Sequence, residues 1–157
     1  MALVVEDGTL VSGADSYVTL AEFKAWADKR GVTYGTDSAV TQQIYRAMDY
    51  IESLNFIGEK SDENQALQWP RDQVVIDGYY IDSDEMPNEL KVAVYESIKA
   101  EIDGDSRMTA SDRRTISEKV GDLQVTYANN ADVKRSIPAV TRALRKLIRP
   151  MAMVSRA

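Results

Sequence analysis

Apolar residues recur at steps of three and four in four stretches of the chain, and each stretch is bounded by residues that start or stop a helix. Leu20, Phe23 and Ala27, with Trp26 beside them, follow Thr19, whose hydroxyl can cap open amides while Glu22 closes a capping box; Gly31 ends the run. A second helix is expected from about 38 to 54, where Val40, Ile44, Ala47, Met48, Ile51 and Leu54 share one face. Gln42, Gln43, Arg46, Asp49 and Glu52 occupy the other face. Pro87 suits the first turn of a third helix, because it lacks an amide hydrogen that would have no partner there. Leu90, Val94, Ile98 and Ile102 form its stripe, and Gly104 stops it. A last helix begins near Pro138, carries Val140, Ala143, Leu144, Leu147 and Ile148, and ends before Pro150.

Between these stretches the period changes. Residues 55–86 contain a polar loop at 60–64, the helix-breaking pair Trp69-Pro70, and Asp77-Gly78 between two apolar pieces. Asp-Gly there predicts a tight hairpin turn, since both central positions need positive φ. Tyr79 and Tyr80 alternate in facing if this is a strand, so at most one is expected to be buried while the other meets a partner. After the polar stretch 105–114, residues 115–120 and 123–127 alternate across Gly121-Asp122 and predict another hairpin. The expected fold is mainly α, a small four-helix bundle with one or two β-hairpins. It forms one domain over 1–157: an N-terminal arm at 1–14, an acidic body at 15–130, and a basic C-terminal helix and tail at 131–157.

The length of 157 residues and a 44% hydrophobic content fit one globular core. No apolar run approaches the roughly 20 residues that span a bilayer. The start meets acid at Glu6 and Asp7, too early for a secretory signal, so a cytoplasmic site of synthesis is expected. Cysteine and histidine are both absent, which removes thiolate nucleophiles, the usual zinc ligands and the commonest proton carrier near neutral pH. The expectation is a protein that is not an enzyme and holds no cofactor or metal.

The net charge of −6 conceals a division. Residues 131–157 hold Lys134, Arg135, Arg142, Arg145, Lys146, Arg149 and Arg156 against Asp132 alone, a net of +6, which leaves −12 on residues 1–130. A basic end on an acidic body seeks an anionic surface of protein or nucleic acid, or is a solvated helix face.

Local chemistry is sparse. Gly58-Glu59-Lys60-Ser61 lacks the upstream glycine and preceding strand of a phosphate loop. Asp77, Asp82, Asp84 and Glu85 do not match the spacing of a calcium loop and read as a solvated acidic segment. Trp69, Pro70 and Arg71 have two readings, a base-stacking platform or a structural anchor. One aromatic beside one arginine in an acidic body is a weak stacking signal, so the anchor is favoured.

Residues 13–22 (Gly-Ala-Asp-Ser-Tyr-Val-Thr-Leu-Ala-Glu), 46–51 (Arg-Ala-Met-Asp-Tyr-Ile), 66–71 (Ala-Leu-Gln-Trp-Pro-Arg) and 118–127 occur in that order around a proline-led helix. Together they resemble a tailed-bacteriophage family often labelled DnaT-like single-stranded-DNA-binding, whose architecture is similar to head-tail connector (adaptor) proteins. The connector likeness implies a structural virion protein at the neck: a homo-oligomeric ring, expected to be a dodecamer, between the portal protein and a downstream neck or tail protein. Packaged DNA would pass through its lumen without specific binding. By this likeness Arg142, Arg145, Lys146, Arg149, Met151 and Arg156 dock on the portal. The alternatives are a single-stranded-DNA-binding replication accessory protein, which the acidic body argues against, and an accessory protein that binds a host protein through its basic tail.

Overall fold

The computed structural model describes residues 3–104, 117–120, 123–126 and 137–149, with 117–120 and 123–126 described as backbone. Helix α1, Leu20–Asp28, opens on the expected capping box. The Glu22 amide donates to the Thr19 hydroxyl over 3.0 Å, and the Thr19 amide donates to the Glu22 carboxylate over 2.7 Å. Helix α2, Asp37–Glu52, is capped by Thr36, and Val40, Ile44, Ala47, Met48 and Ile51 are its buried stripe. Helix α3, Asn88–Ile102, follows Pro87, which is the residue before the helix rather than part of its first turn. It packs most extensively on α2, and helix α4, Pro138–Leu144, packs on α3.

Three two-stranded antiparallel sheets complete the described elements. Strand β1, Glu59–Lys60, pairs with β2, Arg71–Asp72. Strand β3, Val74–Ile76, pairs with β4, Tyr79–Ile81. Strand β5, Ser117–Val120, pairs with β6, Leu123–Thr126, where the alternating pattern placed a hairpin.

These findings correct the expected four-helix bundle to a mixed α/β fold. Only α2 and α3, of 16 and 15 residues, are long enough to form a bundle pair; α1 has 9 residues and α4 has 7. Helix α4 stops six residues before Pro150 because its last apolar residues serve the sheet-rich segment instead. Leu147 is fully buried and its carbonyl accepts from the Ile57 amide, while Ile148 bridges Phe56. The core therefore continues past the helices through Phe56, Leu67, Trp69 and Val74, all buried.

Candidate nucleic-acid interface

The segment 55–86 runs a long way without a helix, and polar side chains bonded to its backbone hold it in shape. Gln68 donates from its side chain to the carbonyls of Glu52, at 2.7 Å, and Leu54, at 3.0 Å. Arg71 is buried, and its guanidinium donates to the carbonyls of Ile57 (2.7 Å), Gly58 (2.8 Å) and Gln68 (3.1 Å). Three charge-assisted bonds to carbonyls offset the cost of taking this cation out of water. Burial and the neighbouring Arg149 both act to lower its pKa.

The same segment is tied to α2 through a buried cluster. The Tyr17 hydroxyl donates to the Glu52 carboxylate and accepts from the Trp69 amide over 3.1 Å, and the Gln68 amide donates to Glu52 over 2.9 Å. Burial, with the Glu52 charge beside it, pushes the Tyr17 hydroxyl far above its ordinary value. Burial also raises the Glu52 carboxyl, although the bonds from Tyr17 and Gln68 oppose that shift. Trp69 has no exposed surface, and its ring meets Phe56 edge-on with centroids 5.9 Å apart. No face of the indole is open to a base.

Strands β3 and β4 form a ribbon whose turn is the predicted one, with φ of 52° at Asp77 and 87° at Gly78. Cross-strand pairing places Val74, Ile76, Tyr79 and Ile81 on one face, and Val75 and Tyr80 on the other. Val74 fastens that first face to the body, and the ribbon projects beyond it. Neither tyrosine is buried, within the expectation of at most one: Tyr79 is 77% exposed and Tyr80 81%. Ile76, across from Tyr79 on the same face, is partly buried against the core, while both tyrosine rings stay open.

The residues that follow α4 reach this ribbon and the loop at its base. Lys146 pairs with Asp77 at the turn, and Arg149 donates to the Gly58 carbonyl over 3.2 Å. Gly58 in turn packs so closely on the base of the ribbon that a Cβ there would stand 2.7 Å from Val74 Cγ2. Residues 146–149 therefore run from the tip of the ribbon to its base. Arg142, Arg145, Lys146 and Arg149 are all exposed. Four of the six sequence-selected residues are thus exposed cations near one another in sequence, two of them bonded at the ribbon's turn and at Gly58; Met151 and Arg156 lie outside the described residues. Trp69, Pro70 and Arg71 sit apart from these cations' exposed faces, in the interior. Asp77, Asp82, Asp84 and Glu85 follow the ribbon in different ways, Asp77 in its turn and the others beyond β4, where the Asp84 carbonyl closes on Gly8. The ribbon and α4 come together through pairings across 69 and 91 residues, which no local pattern reports.

The fold and this surface define a small mixed α/β protein in which exposed cations at 142–149 reach a two-stranded ribbon that carries two exposed tyrosines. The chain belongs to the family described as "Putative DnaT-like ssDNA binding protein", whose model matches residues 1–157. Neither a curated protein nor a solved structure matches it.

This membership corrects the functional expectation. The resemblance carried by residues 13–22, 46–51, 66–71 and 118–127 reached the family, but the connector ring, the portal and neck partners and the virion setting have no support in it. DNA that passes without being bound gives way to a family described by DNA binding. The acidity of residues 1–130 had counted against DNA binding, which the family's description overrides. A strand of DNA meets a local surface, and Arg142, Arg145, Lys146 and Arg149 are all exposed in one short stretch.

Proposed function

We propose that this protein binds single-stranded DNA and is a binding protein rather than an enzyme. The observation that carries the reading is family membership over the whole chain. Arg142, Arg145, Lys146 and Arg149 supply the means, since phosphate contacts from exposed cations provide most of the affinity of sequence-independent binding. The +6 of residues 131–157 draws an anionic strand to this end of an otherwise acidic chain. Absence of cysteine and histidine leaves a binding role the simplest use of the surface.

The test is fluorescence anisotropy of a labelled oligothymidylate titrated with the full chain at several salt concentrations. Saturable binding that weakens steeply with salt is the expected result. A chain that leaves the anisotropy unchanged even at low salt is not a single-strand binder.

A further inference from the structure

We propose that Tyr79 and Tyr80 are base-stacking side chains, and that together with Lys146 and Arg149 they form a single-strand site in which bases meet the ribbon and phosphates follow the end of α4. This rests on the single-stranded-DNA reading above and adds what that reading leaves open, namely how a strand is told from a duplex.

Two adjacent rings at 77% and 81% exposure are unusual in a protein that buries both tryptophans and both phenylalanines. Neither ring has a hydroxyl partner among the described hydrogen bonds, whereas Tyr17, Tyr34 and Tyr45 each have one. A tyrosine face left open is sequence-tolerant, because every base presents a π-surface to it. The rings project from opposite faces of a ribbon that pairs, among the described residues, with no further strand. Val75, 43% exposed, lies directly across from Tyr80 and widens the apolar surface on that side.

Charge fixes the occupant as a nucleic-acid strand rather than an apolar partner. Tyr79 shares its face with Val74, against which Gly58 packs, and the Gly58 carbonyl accepts from Arg149. Lys146 reaches the turn beside it. The Lys146–Asp77 pair is itself open to water, with side chains 38% and 64% exposed, so a phosphate can take the place of Asp77 at small cost. Asp72 at the ribbon base accepts from the Gln73 amide, and Asp82 follows directly on β4. A duplex keeps its bases stacked on each other and offers the rings nothing but its ends, so the tyrosines favour the single strand.

The experiment compares the full chain with the Tyr79→Ala/Tyr80→Ala and Tyr79→Phe/Tyr80→Phe variants. Each is titrated into an oligothymidylate, an abasic oligonucleotide of equal length and a duplex, with solution mass measured in parallel. The wild type should prefer the oligothymidylate to the abasic strand by roughly tenfold or more, as expected for stacking of one or two bases. The double alanine variant should lose that preference while keeping its abasic affinity, and the phenylalanine variant should retain it. A wild type that binds both strands equally leaves single-strand binding standing and overturns the stacking role. An alanine variant that keeps the preference overturns it too, as does one that changes only the solution mass, which would assign the rings to contact between copies. A wild type that binds neither strand removes the single-stranded-DNA reading and this inference together.

Discussion

Tyr17 and Glu52, 35 residues apart in sequence, share a part-buried hydrogen bond in which the phenol donates to the carboxylate. The same hydroxyl accepts from the Trp69 amide, so one side chain joins the entry of α1, the end of α2 and the segment that leads to the ribbon. Tyr17→Phe keeps the ring and removes the oxygen. The Trp69 amide then loses its acceptor in a buried position, at a cost of about 1–3 kcal/mol. Denaturant unfolding should read this loss; a change within error would mean water replaces the hydroxyl.

Glu52 gives stability a pH dependence opposite to that of an ordinary ion-paired acid. Burial raises its carboxyl above the ordinary 4.5, so just above that pH the folded protein holds a proton which the unfolded chain has released. Its contribution to stability falls as pH rises through that window and does not return at neutral pH. Acidification from neutral into the window should therefore help the wild type more than Glu52→Gln, read as the difference between their thermal midpoints. A difference that shrinks on acidification would show that the charged carboxylate is the form Tyr17 and Gln68 favour.

Trp69→Ala should destabilise the protein by roughly 3–5 kcal/mol, the range for emptying a large core site. The ring is fully buried against Phe56 and stands where the helical core meets the sheet-rich segment. Thermal and denaturant midpoints measure it. An equally stable variant that had lost only DNA binding would make Trp69 a ligand contact instead.

Gly58→Ala should be costly for a different reason. The backbone there has φ of +70°, and an added Cβ would lie 2.3 Å from the Asp72 carbonyl oxygen. Alanine at positive φ costs more than about 1 kcal/mol before any clash. Because the ribbon base and Arg149 both rest on Gly58, the variant should also bind single strands more weakly than its stability loss alone explains. Unaltered affinity in a destabilised variant would separate the ribbon from the DNA surface.

Replacing Arg142, Arg145, Lys146 and Arg149 together by alanine should flatten the dependence of affinity on salt. Each phosphate contact in a single strand contributes about 0.7 to the slope of log K against log salt, so four contacts amount to roughly 3. These side chains are exposed, and circular dichroism should show an unchanged fold. An unchanged slope would place the phosphate contacts elsewhere in the chain.

The sequence by itself determined what depends on near neighbours. Thr19 and Glu22 close their capping box, the stripe from Val40 to Ile51 turns inward, Gly104 with φ of +79° ends α3, and Asp77-Gly78 makes the turn, because three or four residues settle each of these. It also located the cations at 142–149 and, through four ordered motifs, the family. Tertiary structure decided the rest. It cut α4 short by pairing residues 147–149 with 55–58, put Arg71 among backbone carbonyls, exposed both ribbon tyrosines and brought Lys146 to Asp77. Each of these is a pairing between distant stretches, whose energy depends on where the rest of the chain has folded, so periodicity and composition carry no record of it.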